Sequence, residues 1–312
     1  MRLYNWEVAG RLEYVILDWR AHWGELIVDG EKSNLLKLFE SHFGLKEDAE
    51  LGLAHLEKSV SCFARIPYEN LTKIIRAFEQ EDIQKKLRRP EDVLKDFIRW
   101  GTGGTCFSLT FCLKSILSEY GYDCRYRMAD LGQRQSNHCA LTVYLHQRLW
   151  LIDPGYLIVK PLPMPETGSV VHETSLHPVL LEKDVISGGS HLSTMDPNGV
   201  KYRYYLHGED CAEDNFFTHW KDSFSWNMMN SLLITRIIPK GRIYLHDRHF
   251  RRFDRTSHRC EKLKDGFDDS VAAYTGINKE IVVRAREILA ENKRSLRENR
   301  RQDGKSGSTR AC

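Results

Sequence analysis

The stretch Gly101-Thr102-Gly103-Gly104-Thr105-Cys106-Phe107-Ser108-Leu109-Thr110-Phe111-Cys112-Leu113-Lys114-Ser115-Ile116-Leu117 decides how the rest of the chain is read. Its first five residues are small turn formers, and the next twelve run largely apolar toward a stop at Gly121. A tight loop therefore opens straight into a helix. Cys106 falls at the first turn of that helix, where unpaired backbone N–H groups and the helix dipole favour an anion. A thiol placed there loses its proton more readily and becomes a nucleophile, and the same N–H groups can receive the oxygen of a tetrahedral intermediate. Gly103 and Gly104 are expected to allow a substrate close to the backbone. Cys112, six residues further along, reads as an ordinary core thiol, because cysteine is among the most buried residue types.

Upstream of this loop the pattern is helical. Ser33-Asn34 can cap a helix through Leu35-Leu36-Lys37-Leu38-Phe39-Glu40 that stops at Gly44. A second helix is expected over about 48–64, ended by Ile66-Pro67. The charged run 79–89 reads as a solvated helix or loop, and Pro90 at a first-turn position starts a helix to Trp100. Downstream the period changes to that of strands, over 124–128, 139–145, 149–152 and 157–159. Further strands are expected over 199–206 and 231–238, with Pro239-Lys240-Gly241-Arg242 turning into 243–245. A last helix fits 279–296, and 297–312 has almost no large apolar residue, the mark of a disordered basic tail. The class is α+β.

Two residues of the strand region complete a constellation with Cys106. His138 opens the strand that ends at Leu145, and Asp153 closes the strand Leu149-Trp150-Leu151-Ile152 before Pro154-Gly155. Alone, a histidine among thirteen or an aspartate before Pro-Gly is unremarkable. Counting outward from a hairpin turn at His146-Gln147, however, brings His138 and Asp153 side by side within the error of a bulge. A thiol, an imidazole base and a carboxylate that holds the imidazole tautomer form the set used in acyl transfer.

Composition excludes several classes. The net charge is +3 over 312 residues. Residues 284–312 carry nine Lys or Arg against four Asp or Glu, so the rest of the chain is near −2. Basic character thus belongs to a tail, which argues against a nucleic-acid face. The apolar stretches fall far short of the roughly 20 residues that span a bilayer, which argues against a membrane partner. Met1-to-Trp19 carries Arg2, Glu7, Arg11, Glu13 and Asp18, with no apolar stretch of the kind a signal peptide needs. Eight cysteines without a Cys-x-x-Cys pair imply free thiols, no metal site and a cytoplasmic location.

Ile66-Pro67-Tyr68-Glu69-Asn70-Leu71 resembles the arylamine N-acetyltransferase signature I-P-F-E-N-L, and Gly103-Gly104-Thr105-Cys106-Phe107 resembles that family's nucleophile motif. Asn137-His138 with Leu149-Trp150-Leu151-Ile152-Asp153-Pro154-Gly155-Tyr156, and Ile234-Thr235-Arg236 with Pro239-Lys240-Gly241-Arg242-Ile243-Tyr244-Leu245, are similar to two later elements of the family. The likeness spans about 33–292 in the family's order. It implies a helical bundle over 1–105, a nucleophile helix and antiparallel β-barrel over 106–200, an α/β lid over 201–296, and a tail over 297–312. It also implies Cys106, His138 and Asp153 as catalytic residues, with no permanently bound cofactor and acetyl-coenzyme A (acetyl-CoA) or another acyl-CoA as co-substrate. Gly103, Gly104, Ser136, Asn137 and Ser223 are the candidates for donor binding. The acceptor would be a small-molecule amine. An amide synthase served by an acyl carrier protein, and a transglutaminase-like thiol hydrolase, are the alternatives. The chain departs from the pattern at Thr102, where the family has arginine, at Ser108-Leu109-Thr110 and at Pro154, and keeps at most Ser223-Phe224 of the family's Ser-Pro-Phe element. Trp220, Phe224 and Trp226 could line an acceptor pocket or form a seam between barrel and lid; the seam is the stronger reading.

Overall fold

The computed structural model describes residues 33–45, 51–156, 158–174, 177–196, 199–239, 241–254 and 258–306. The helical half begins with α1 (Asn34–Phe43) and α2 (Leu53–Phe63), followed by a two-residue strand β1 (Tyr68–Glu69). Then come α3 (Leu71–Glu79), the single turn α4 (Ile83–Lys86), α5 (Pro90–Trp100) and α6 (Cys106–Glu119). The expected start of the second helix at 48 lies outside the described residues. Local rules set the limits of α5. Pro90 occupies the first turn, the Asp92 carboxylate accepts from the Arg89 N–H at 3.2 Å, and Gly101 closes the helix at φ 69°. Helix α6 is apolar on nearly every side and is correspondingly buried, packed among Phe39, Leu56, Val60, Phe63, Leu94 and Phe97.

Strands β2 (Asp123–Leu131), β3 (Arg134–Leu145), β4 (Arg148–Ile152), β5 (Leu162–Pro163), β6 (Ser169–His172), β7 (Val179–Lys183), β8 (Ser190–Asp196) and β9 (Gly199–Leu206) form one antiparallel sheet. Its order is β5-β4-β3-β2-β9-β8-β7-β6. The two outer strands come back toward each other, since His172 on β6 donates to the Pro163 carbonyl on β5 at 2.9 Å, so the sheet curls into a nearly closed barrel. Inside it lie Ala129, Ala140, Leu151, Leu162, Leu181, Leu192 and Tyr204. Expected strand 157–159 is absent: Ile158 is buried in a loop, its N–H bonded to the Asp153 carbonyl at 3.0 Å, and Leu157 lies outside the described residues. Strand 199–206, assigned from sequence mostly to the lid, pairs with β2 and β8 and belongs to the barrel sheet.

Helix α7 (Glu213–Asp222) and two 3₁₀ turns, Ser223–Ser225 and Asn227–Asn230, lead to a second sheet. It contains β10 (Leu233–Ile238), β11 (Gly241–His246), β12 (His249–Asp254) and β13 (His258–Lys262), and it is followed by α8 (Phe267–Thr275) and α9 (Lys279–Ser306). Helix α9 runs ten residues past the end expected for the last helix, and the backbone of most of the expected tail is helical. The second sheet also recruits β1 at its edge, with Tyr68 opposite Thr235 and Glu69 opposite Ile234. Leu71 and Ile74 of α3 pack with Ile234, Leu245, Phe250, Val282 and Ile288 in the same core. The helical first third is therefore divided: α1, α2, α5 and α6 share one core, whereas β1 and α3 join the C-terminal elements.

Candidate active site

The hairpin β3–β4 places two of the expected residues. His146 and Gln147 both take left-handed backbone (φ 52° and 59°), a two-residue turn whose twist suits a hairpin. That turn sets Leu145 against Arg148 and Leu141 against Ile152, so Asp153 is the first residue beyond the paired end. On the other side of β3 a register shift between Ala129 and Leu131 opens the sheet beside His138. The His138 Nε2–H donates to Asp153 Oδ2 at 2.7 Å. The same carboxylate accepts from the Tyr204 hydroxyl at 2.7 Å and from the Tyr156 N–H at 2.8 Å. Asp153 is fully buried, and three donors satisfy it as an anion.

Cys106 is the first residue of α6, as expected, and Thr105 before it makes no side-chain cap. Gly155 brings the Asp153 loop onto it, for a Cβ at that position would lie 2.5 Å from Cys106 Cβ and 3.1 Å from His138 Cε1. Only glycine lets the two approach. With Nε2 on Asp153, the other ring nitrogen of His138 remains for the thiol, which it hydrogen-bonds. The Cys106 thiol is held well below its ordinary range. A hydrogen bond from the Cys139 thiol acts most strongly; burial opposes it, and the His138 bond and charge and the Lys73 ammonium add to it. For His138, burial disfavours the cation, but the Asp153 charge and bond and the Cys106 thiolate outweigh it and raise the imidazole to about 10. Both shifts favour the thiolate–imidazolium form of the buried pair.

The loop before Cys106 is fastened from two sides. The parallel bridge between Tyr68 and Gly104 includes a 2.9 Å bond from the Glu69 N–H to the Gly104 carbonyl. Buried Glu69 accepts from the Gly103 N–H at 3.2 Å and from the Thr72 N–H and hydroxyl at 2.9 and 2.6 Å. Arg88, 3% exposed, donates to the Gly103 carbonyl and pairs with Asp96 at 2.7 Å. A guanidinium thus reaches the loop from 88 although position 102 holds threonine. Asn70 closes the arrangement: its amide nitrogen donates to the Met228 and Ser231 carbonyls, both at 2.7 Å, and its oxygen accepts from the Leu233 N–H at 2.8 Å. The motifs around 66–71 and 101–106, 35 residues apart in sequence, are one structural unit.

A family model described as N-acetyltransferase matches residues 53–286. The chain belongs to the arylamine N-acetyltransferase family. It is an acyltransferase, of a family that moves acyl groups to amines with acetyl-CoA as co-substrate. An uncharacterised acetyltransferase of Bacillus subtilis, YvcN, is 25% identical over 202 residues, covering 60% of this chain and 75% of its own. The fold is shared with the arylamine N-acetyltransferase of Mycobacterium abscessus, at TM-score 0.70 and 17% identity over 82% of this chain and 94% of that one. It is shared too with a Bacillus cereus arylamine N-acetyltransferase described as having a Cys-His-Glu catalytic triad, at TM-score 0.64 and 17% identity over 79% and 100%.

Against that family background, the other expected residues divide. The glycines at 103 and 104 are required by the protein's own packing. A Cβ on Gly103 would meet the Pro67 carbonyl, and one on Gly104 the Ser108 hydroxyl, so room for a substrate is not what selects glycine there. Ser136 and Asn137 lie next to the turn of the β2–β3 hairpin; the Ser136 N–H is bonded to Asp130 Oδ1 at 2.7 Å, and the Asn137 amide spans the Leu131 N–H and carbonyl at 2.7 and 2.9 Å. Ser223 is fully buried, its hydroxyl donating to the Trp220 carbonyl and accepting from Lys73, which leaves it closed to a donor. Trp220 lies in the core shared with α1, α2, α5 and α6 rather than in a seam between barrel and lid, stacked on Phe217 of its own helix at 5.9 Å and on Phe107 of α6 at 6.4 Å. Phe224 and Trp226 instead face the Lys73 ammonium, with ring centroids at 4.5 and 5.9 Å.

Sequence reasoning missed Cys139, Lys73, Tyr204, Glu69 in its loop role, and Arg88. Cys139 follows His138 directly and reads as strand core; its burial raises its own thiol, keeping it a hydrogen donor. Lys73 is buried, which lowers its ammonium to about 8 against the opposing pull of Cys106 and Cys139. Tyr204 and Arg88 carried no local signal at all. Among the described residues every cysteine is free, no group of His, Cys, Asp and Glu could hold a metal ion, and no helix is long and apolar enough to cross a membrane.

Proposed function

We propose that Cys106, His138 and Asp153 carry out acyl transfer from an acyl-CoA, acetyl-CoA first among them, to a small amine in two half-reactions. The observation that supports this reading most is the buried chain from Cys106 through His138 to Asp153, with the thiol depressed and the imidazole raised. In the first half-reaction the Cys106 thiolate attacks the thioester carbonyl. The oxyanion is met by the first-turn N–H groups of α6. The intermediate collapses, the C–S bond to coenzyme A breaks, and His138 gives its proton to the departing thiolate. In the second, the amine attacks the Cys106 thioester and loses a proton to His138, and the Cys106 thiolate leaves, restoring the resting pair. Asp153 holds the imidazole with Nε2 inward through both steps and balances its charge when protonated.

The test is a mass-spectrometric scan of purified protein with acetyl-, propionyl- and malonyl-CoA, in wild type and Cys106→Ala. A covalent gain of one acyl group on Cys106, discharged by an amine, is the expected result. Absence of any acylation by these donors removes the reading. Acylation only by a carrier-bound thioester would instead assign an acyl carrier protein as the donor. Amide-electrophile trapping without thioester reactivity would indicate a thiol hydrolase.

A further inference from the structure

Strand β11 presents Arg242 and Tyr244 two residues apart, so both side chains leave the same face of the second sheet. The register Tyr68–Thr235–Tyr244 puts Tyr68 in the same row, and Tyr68 lies within electrostatic reach of Cys106 and of Tyr244. The face that carries Arg242 is therefore the one turned to the nucleophile. Arg242 hydrogen-bonds Tyr156, and its guanidinium lies 5.7 Å from the Phe253 ring centroid. Tyr156 packs edge-on against Tyr204 at 5.8 Å, and the Tyr204 ring lies 4.9 Å from that of His138. Two tyrosines thus separate this guanidinium from the imidazole.

The guanidinium is also short of partners. Its Nε is buried without a hydrogen bond, and neither Arg242 nor Arg203 forms an ion pair among the described residues. Arg203, on β9, donates to the Thr194 hydroxyl at 2.7 Å and lies close enough to repel Arg242. His177 lies within reach of both. Of the carboxylates nearby, Asp153 is taken up by His138, Tyr204 and the Tyr156 N–H, and Asp196 acts on His177. Two like charges held together, one of them largely buried, cost free energy unless an anion joins them.

We propose that Arg242, backed by Arg203 and flanked by Tyr156 and Tyr244, recognises a carboxylate on the molecule whose amine or acyl group reacts at Cys106. This rests on the acyl-transfer reading for the identity of the reacting group, but not for the existence of the anion site. A guanidinium matches a carboxylate with two parallel bonds, and the tyrosines around it suit the flat body of a benzoate. The half-buried position two ring-widths from His138 fits a short substrate better than the phosphates of coenzyme A, which hang from a long arm.

The first experiment needs no turnover. Iodoacetamide, a neutral reagent, alkylates Cys106 in the presence of benzoate, benzamide or inorganic phosphate. Benzoate should protect at concentrations about 10- to 100-fold below benzamide, the worth of a charged hydrogen-bonded contact. Arg242→Gln should bring the two ligands level, Arg242→Lys should keep part of the difference, and Arg203→Gln should reduce it. Equal protection by benzoate and benzamide in wild type overturns the proposal whatever the variants do. So does a difference that survives in Arg242→Gln, and so does protection by phosphate that matches benzoate, which would mark a donor phosphate subsite.

The second experiment locates the carboxylate. Acetylated enzyme is discharged by 4-aminobenzoate or aniline, and free enzyme is acylated by malonyl- or acetyl-CoA. A preference in the first places the carboxylate on the acceptor, and one in the second places it on the acyl group; no preference in either overturns the substrate assignment. Benzoate protection without any acylation of Cys106 would leave the anion site standing and remove the acyl-transfer reading. Acylation without benzoate protection would do the reverse.

Discussion

Cys106 and Cys112 stand six residues apart in one helix, both buried, and their protons are held in opposite ways. Burial drives the Cys112 thiol far up, and its sulfur donates to the Pro90 carbonyl at 3.4 Å. Cys106 suffers burial too, yet lies well below the ordinary range, because Cys139, His138 and Lys73 all stabilise its anion. Cys106 lies against His138 and Cys139 of the barrel hairpin, whereas Cys112 lies against α5. Desolvation by itself makes a thiol inert, and it is the partners brought by other elements that convert a buried thiol into a nucleophile.

The widest separation between the two sites should appear on truncation. Cys106→Ala should lower acyl transfer by about 10⁴-fold or more, as loss of a nucleophile does, while Cys112→Ala should stay within about twofold at a modest loss of thermal stability. Comparable losses in both variants would mean that the helix, not the thiol, was disturbed. Asp153→Asn comes next. It removes the charge that raises His138, and kcat should fall about 10³-fold or more with the fold retained; near-normal turnover would show that Tyr204 and Gly155 alone orient the ring. Arg88→Met probes the loop, where a displacement on the order of 1 Å is worth about 10²-fold. The expected loss is in kcat, with the circular dichroism spectrum unchanged, and Arg88→Lys should recover part of it. An effect confined to melting temperature would make Arg88 purely structural.

The smallest effect among the groups around Cys106 belongs to Cys139. Alkylation of wild-type Cys106 should stay fast as pH falls through the ordinary cysteine range near 8.5, because the depressed thiol keeps its anion there. Its rate should drop only when pH passes below that depressed value. Cys139→Ala deletes one bond to the anion and should move the drop upward by about one pH unit, with an activity loss of about tenfold on the acid side of the drop. A pH profile identical to wild type would assign the thiolate's stability to His138 and Lys73 alone.

Legibility from sequence followed the range of the interaction. The caps of α5, the start of α6, the hairpin at His146-Gln147 and the strand at 199–206 are local events, written in Pro90, Gly101, the small-residue loop and alternating side chains. Each was readable. Strands β5 to β8 were not, because at two to seven residues they are too short to show a clear alternation, even though each pairs with a neighbour in sequence. Arg88 illustrates the limit for the site: set in a run of charges that reads as solvent-facing, it is buried because Gly103 and Asp96 happen to converge on it.

The sequence alone determined the nucleophile's setting, the hairpin that aligns His138 with Asp153, and the likeness to a cysteine-dependent acyltransferase family, since each rests on contiguous residues. Tertiary structure decided the rest. It placed β1 in the C-terminal sheet and α3 in the core beneath it, closed Ser223 to a donor, and brought Arg88 to the loop in which position 102 holds threonine. It also surrounded Cys106 with Cys139 and Lys73, and set Arg242 against Tyr156. Those outcomes depend on which distant charges and donors share a buried space, and a buried charge takes its properties from its neighbours in space rather than in sequence.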